Sequence, residues 1–321
     1  MSFFKTLLLA AIIVFSFLAS LSFAQFDSEW FLLPTVGNIP PGRCSHSAII
    51  RDATNEMIIF GGFSGGFGAY RSDVYRLSLE NNVWRQLPSA PVDRCYHAAI
   101  YDPIKDRMLV FGGHYAIGNV SYPTNTLYEL NLTNNEWRLL NTSGEKPSPR
   151  GFISAAFDSV GYCMIVYGGT YYGSNETYTL DLNALDWELL SVSGELPPET
   201  KLQAMAIDQS ERTLIVFGGY IYQSDTYSND TYFLDLNTNI WSKAEPIGEM
   251  PSERSHMASA YSDPLDRMFI FWGYNGQRLS DTWAYHPQTN QWTLLTPEGS
   301  PPQERLSSSA VIEHSQYFYS L

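Results

Sequence analysis

What most constrains this chain is a repeat: Trp30, Trp84, Trp137, Trp187, Trp241 and Trp292 recur every 50 to 54 residues. Between them lie apolar runs closed by glycine: Met57-Ile-Ile-Phe-Gly-Gly62, Met108-Leu-Val-Phe-Gly-Gly113, Met164-Ile-Val-Tyr-Gly-Gly169, Leu214-Ile-Val-Phe-Gly-Gly219 and Met268-Phe-Ile-Phe-Trp-Gly273. The two markers keep step along the chain. A period of this size defines a supersecondary unit that buries its faces only against its neighbours.

Each unit reads as four short strands. The glycine-closed run has the composition of a fully buried strand, short and β-branched. Before it come segments such as residues 45–51 and 97–101, each ended by an acidic turn at Asp52, Asp102, Asp158, Asp208 or Asp263. After it, segments such as Val74-Tyr-Arg-Leu77 alternate as half-buried strands do. Turn formers such as Glu80-Asn-Asn82 and Thr133-Asn-Asn135 then lead to the tryptophan strand. Four-stranded antiparallel sheets bury both faces when stacked radially about an axis, so the expected fold is an all-β propeller. The glycine pair then supplies positive φ and close approach, and the indole fills the space between sheets.

The unit of Pro-x-Arg or Pro-x-x-Arg, His-x-Ala or a variant, Phe-Gly-Gly, an aliphatic-aromatic strand and Trp resembles the kelch repeat. Arg43 with His46, Arg94 with His97, and Arg254 with His256 carry the resemblance in repeats one, two and five. Repeat three keeps Arg150 without a histidine, and repeat four replaces the arginine with Lys201. The resemblance implies a kelch-type β-propeller with five complete four-stranded blades, at about residues 38–87, 88–140, 141–190, 191–244 and 245–295. A partial blade stands at each end: Trp30-Phe-Leu-Leu33 reads as a last strand, and residues 296–321 as a first strand and a half. Members of the family close the ring by joining both termini in one blade, and here that blade would lack its third strand. Two expectations follow: a truncated chain, or a six-bladed ring with an irregular last blade.

Residues 1–24 have their own logic. Lys5 precedes an apolar run, and Ser22-Phe23-Ala24 is a small-x-small site, the pattern of a secretory signal peptide cleaved before Gln25. The propeller would then occupy residues 25–321, in a secreted protein. An uncleaved leader would act as an anchor, the one membrane association expected unless a C-terminal anchor lies outside this sequence. Asn119, Asn131, Asn141, Asn175 and Asn229 each begin an Asn-x-Ser/Thr sequon, which suits a glycoprotein of the secretory pathway. Cys44, Cys95 and Cys163 are an odd set, so stability must come from side-chain burial rather than a disulfide scaffold. A net charge of -14 argues against nucleic acid, whose binding runs on clustered Lys and Arg.

Strand order puts the loops after each second strand on the same face as the loops leading into each first strand. The former are rich in Tyr, Gly, Ser and Asn, the alphabet of adaptable binding surfaces. They offer Tyr70, Tyr115, Tyr172, Tyr222, Tyr274 and Arg278 as contact residues. The inbound loops add Arg43, Arg94, Arg150, Arg254 and Arg305, which either receive an acidic peptide or carboxylated sugar or pair with a neighbouring blade's carboxylates and carbonyls and so lock the ring. Four sequons, Asn119, Asn141, Asn175 and Asn229, share this face, and occupied sequons would steer a partner to blades one, two and five or to the opposite face.

The expected function is an extracellular binding or scaffold module for a protein or glycan partner, without a cofactor, a metal or catalytic residues. The alternative is a carbohydrate-active enzyme resembling the sugar oxidases or epimerases built on kelch propellers. His46, His97 and His256 occupy repeat positions that read as structural, and His114, His286 and His314 are isolated in sequence.

Overall fold

We describe residues 11–16, 27–65, 69–302, 307, 309–313 and 317–320 of a computed structural model of this chain. Five antiparallel sheets arise from contiguous repeats, and a sixth joins the two ends of the chain. Blade 1 runs outward through Ser47–Arg51, Glu56–Phe60, Val74–Ser78 and Val83–Leu87. Blades 2 to 5 repeat this order from inner strands Ala98–Asp102, Ser154–Asp158, Ala204–Asp208 and Ala258–Ser262. The inner strands follow one another around the axis, and Ala310–Glu313 of the sixth sheet stands between those of blades 5 and 1.

Each strand has the composition its radius demands. Near the axis, where blades converge, small residues such as Ala98, Ala156, Ala204 and Ala258 are buried. Second strands are covered on both faces, and Met57, Ile58, Ile59 and Phe60 are all within 1% of fully buried. Burying each such side chain is worth about 1.5–3 kcal/mol. At the rim, a tryptophan reaches back to the ring that closes the preceding blade's second strand. Centroid separations are 5.0 Å for Trp137 and Phe60, 4.7 Å for Trp187 and Phe111, 5.5 Å for Trp241 and Tyr167, and 4.7 Å for Trp292 and Phe217. Trp30 meets Phe271 at 6.3 Å, and Trp84 shares a cluster with Tyr319. Six apolar interfaces therefore alternate with six sheets.

The glycine pairs behave as expected. Gly112 and Gly113 have φ of +66° and +85°, and a Cβ on either would lie 2.7 Å from the carbonyl oxygen of Arg150 or Cys95. The acidic turns have a local cause. Asp102, Asp158 and Asp208 each accept two backbone N–H groups from the residues two and three positions on, closing the turn between first and second strands.

Two features differ from the expectations. Blades 1, 3 and 4 and the sixth sheet carry a fifth, two-residue edge strand, such as Ser143–Gly144, paired parallel to the tryptophan strand. The closing sheet also has its third strand: Ala11–Ser16 pairs with Asp27–Leu32 on one side and Tyr317–Ser320 on the other. A β-branched apolar run suits a leader core and a buried strand equally well, so Ile12, Ile13 and Val14 carry both readings. Among the described residues, no helix is long and apolar enough to cross a membrane.

Candidate functional site

The loop face is organised by a belt of main-chain hydrogen bonds around the axis. Tyr96 N–H donates to Ser45 C=O, Phe152 to Tyr96, Leu202 to Phe152, His256 to Leu202, Ser307 to His256 and Ser45 to Ser307, at 2.6 to 3.2 Å. All six residues have positive φ, between +52° and +61°. This strained conformation costs of order 1 kcal/mol or more for a side-chain-bearing residue, and the closed belt holds it in place. The belt rims an axial cavity of about 220 Å³ lined by His46, His97, Gln203 and His256.

Inside that mouth, Ser47 Oγ lies 2.7 Å from His97 Nε2 of the next blade, and Ser309 Oγ lies 2.7 Å from His46 Nε2. A nucleophile and its base show the same spacing, but burial, with a smaller repulsion from Arg94, pushes the His97 pKa down to about 3. So weak a base activates no serine at neutral pH, and its Nδ1 meets no acceptor among the described residues. The contact is a latch between blades 1 and 2. Because the folded pKa is depressed, the imidazole is neutral in the fold, and the unfolded chain takes up its proton first. Stability from His97 is complete above about pH 6.5 and falls by about 1.4 kcal/mol per unit as pH drops toward 3. Urea midpoints are expected to fall from pH 7.5 to 4, and His97→Gln to remove part of that fall, the remainder staying with His256, whose pKa burial also lowers, to about 4.

The inbound arginines turn into their own blades. Arg43 grips Asp73 at 2.6 Å and the Gly61 carbonyl, Arg150 meets Glu176 at 2.7 Å and the Gly168 carbonyl, and Arg254 meets Asp281 at 2.6 Å and the Trp272 carbonyl. Arg94 is also buried, but neutral Thr126 stands where the other blades carry the acid, and its Oγ1 accepts from the guanidinium at 2.7 Å. These four are held by groups of their own blades, not by the neighbouring blade's carboxylates and carbonyls that were expected to lock the ring. Arg305 lies outside the described residues. Arg278 is exposed on the loop face of blade 5.

The tyrosines divide. Tyr115 lies 5.8 Å from Tyr122 across the ribbon of His114–Ile117 and Val120–Pro123, and covers Arg94 at 5.6 Å. Tyr274 packs at 6.0 Å on Tyr227. The structure brings Tyr172 and Tyr222 together with Tyr171, at centroid distances of 5.1 to 5.6 Å, and leaves Tyr171 and Tyr172 about 60% exposed. Beside this cluster, between the loops of blades 2 and 3, opens a cleft of about 650 Å³. Phe63, Tyr70, Tyr96, His114, Phe152 and Tyr171 are among its walls. Its floor is a set of three rings, with Phe152 at 4.4 Å from Tyr96 and 4.9 Å from His114. Gly151 admits the imidazole, since a Cβ there would lie 2.3 Å from His114 Nδ1. Tyr70 reaches over from blade 1 and donates to Ser121 Oγ at 2.9 Å.

Tyr96, His114, Phe152 and Tyr171 were absent from the residues chosen by sequence. The usable signal was positional: Tyr96 and Phe152 each stand two residues after the inbound arginine of successive repeats, at a belt position that lines the axial mouth.

The sequons also divide. Asn175 and Asn229 donate through Nδ2 to the carbonyls of Pro197 and Pro251 at 3.0 and 3.2 Å, as Asn125, outside any sequon, does to Pro147 at 2.8 Å. That amide is an internal fastening of the repeat. Asn131 accepts the Thr133 and Asn134 N–H groups in a turn. Asn119, at the ribbon's tip, and Asn141 face solvent. Among the described residues no group of three His, Cys, Asp or Glu side chains is placed to hold a metal ion.

The family model described as the KLHDC2/KLHL20/DRC7 Kelch-repeats domain matches residues 19–207 and, in a second register, 104–320. Host cell factor 2 of Homo sapiens is 30% identical over 336 residues, covering 91% of this chain and 35% of that protein. Acyl-CoA-binding domain-containing protein 5 of Arabidopsis thaliana is 27% identical over 296 residues, covering 88% of this chain and 36% of its own length. The host cell factor homolog hcf-1 of Caenorhabditis elegans is 29% identical over 301 residues, 89% of this chain and 32% of its own. The chain thus spans about a third of the length of these relatives.

Proposed function

The chain belongs to the kelch-repeat family, and on that premise we propose that it is a protein-binding scaffold whose partner docks in the aromatic cleft between blades 2 and 3. The cleft itself carries this reading. Its size falls within the range of sites that enclose a ligand, and its rings supply contact area with few torsions to freeze. The exposed Tyr171 and Tyr172 extend that surface along blade 3. The fastened amides of Asn175 and Asn229 support bare loops on blades 3 and 4, which leaves the blade 3 side of the cleft open, while a glycan at Asn119 would stand at the tip of the ribbon whose base lines the blade 2 side.

A random peptide library displayed on phage tests the reading, with a glycan array as the opposing arm. The expected result is peptide enrichment on the wild type, lost at least tenfold on the Tyr171→Ala/Tyr172→Ala double variant. Its melting temperature should stay close to wild type, because exposed side chains contribute little to stability. Enrichment on the glycan array alone, or peptide binding indifferent to both tyrosines, defeats the reading.

We further propose an extracellular location, supported by the leader-like residues 1–24 and by the solvent-facing sequons at Asn119 and Asn141. Cleavage before Gln25 would remove the strand Ala11–Ser16 from the closing sheet, so secretion and retention of that strand exclude each other. Mass spectrometry of the protein expressed through the secretory pathway is expected to find Gln25 at the N-terminus, glycans at Asn119 and Asn141, and bare Asn175 and Asn229. An intact Met1 with unmodified sequons would refute the location.

A further inference from the structure

Comparison of equivalent positions around the ring singles out one cation. Blades 1, 3 and 5 each neutralise the inbound arginine with an acidic residue on the third strand or just before it: Asp73, Glu176 and Asp281. Blade 4 has no such pair: the belt register puts Thr200, two residues before Leu202, at the arginine's position, and the equivalent Asp230 is taken by Lys243 at 3.0 Å. Lys201, expected from sequence to replace the arginine, instead stands one residue on, where the other blades carry Cys44, Cys95, Gly151 and Ser255. Among the described residues, no carboxylate pairs with Lys201. Its Nζ donates to the Tyr171 carbonyl at 2.6 Å and lies 4.8 to 5.4 Å from the ring centroids of Tyr171, Tyr220, Tyr222 and Phe152. Burial lowers its pKa, and its charge contributes to the lowered pKa values of His114 in the cleft and His256 at the axial mouth.

Phe152 and Tyr171 are therefore shared, with the cleft on them and the ammonium beside them. A basic occupant would meet repulsion and find those π-faces already engaged. A carboxylate would supply the acidic partner that Lys201 lacks among the described residues, in surroundings where a charge-assisted hydrogen bond is stronger than in open water. Resting on the cleft as the docking site, we propose that Lys201 reads an acidic side chain of the partner. The recognised segment sets an Asp or Glu next to an aliphatic or aromatic residue that enters the cleft.

Selection from a phage-displayed random heptapeptide library, with each peptide fused through its C-terminus so that no terminal carboxylate is offered, tests this on wild type, Lys201→Gln and Lys201→Arg. The expected outcome is Asp or Glu enriched at a fixed offset from an apolar residue on the wild type and on Lys201→Arg, and lost on Lys201→Gln. For the best synthetic peptide, Lys201→Gln should weaken binding about tenfold or more, and replacing the peptide's acid with its amide should cost the wild type a similar factor. Apolar enrichment without an acid on the wild type overturns the Lys201 assignment and leaves the cleft standing. Equal acid enrichment on wild type and Lys201→Gln overturns the assignment too. No enrichment on the wild type overturns both.

Discussion

Replacing Trp187 with alanine is expected to lower the unfolding free energy by about 3–5 kcal/mol, the usual cost of deleting a large core aromatic. The indole is 1% exposed and packs at 4.7 Å on Phe111 of the preceding blade, within a cluster that includes Leu109, Leu127, Met164 and Leu180. Its walls come from two rigid sheets, which cannot close on the void without breaking their ladders. The check is a shift of the urea midpoint at unchanged m-value. Two comparisons fix the cause. Trp137→Ala should cost less, because Trp137 is only partly buried. Trp187→Phe should cost under about 1.5 kcal/mol: the indole N–H has no partner among the described residues, so its removal offsets part of the lost area. A Trp187→Phe loss equal to that of alanine would mean that ring volume is not what joins the blades.

The part of this fold that repeats was legible in the sequence, because a strand, its turn and its tryptophan are set by residues within about 50 positions. Apolar runs closed by glycine marked the buried strands, and aspartates marked the turns. Closure was harder, since Ala11–Ser16 pairs with Tyr317–Ser320 across nearly the whole chain, and its composition is that of a leader as much as a strand. The candidate site was legible only in kind. Tyr-rich loops pointed to the face on which the cleft opens, but Lys201 and Tyr171 come from different blades, and their contact depends on a departure in blade 4 that looks like noise when repeats are aligned. The sequons at Asn175 and Asn229 are indistinguishable in sequence from that at Asn119. Whether the amide faces a prolyl carbonyl or solvent is decided by the neighbouring loop.

Four of the inbound positions hold a buried arginine side chain, and Arg254 gives the sharpest test of what that residue does. Its side chain is 1% exposed and makes two bonds to Asp281, at 2.6 and 2.7 Å, besides those to the Trp272 carbonyl and to Ser252. Those bonds hold the Asp281 carboxyl below its usual pKa against the opposing effect of burial. Arg254→Met leaves Asp281 with the Trp283 indole N–H as its remaining side-chain donor, and its side chain is 30% exposed. Breaking a buried pair from one side costs about 3–5 kcal/mol, and partial exposure of the carboxylate places the expected loss near 3 kcal/mol. Asp281→Thr should cost less, because blade 2 already holds Arg94 with Thr126 in the equivalent place. Combining Arg254→Met with Asp281→Thr should recover part of the loss, since no carboxylate is then stranded, and the coupling is read from a double-mutant cycle of urea midpoints. If the arginines serve as locks, Arg254→Met weakens the fold yet leaves peptide binding in the cleft of blades 2 and 3 unchanged below the unfolding transition. Lost binding at unchanged stability would make Arg254 a reader of ligand, the role proposed for Lys201.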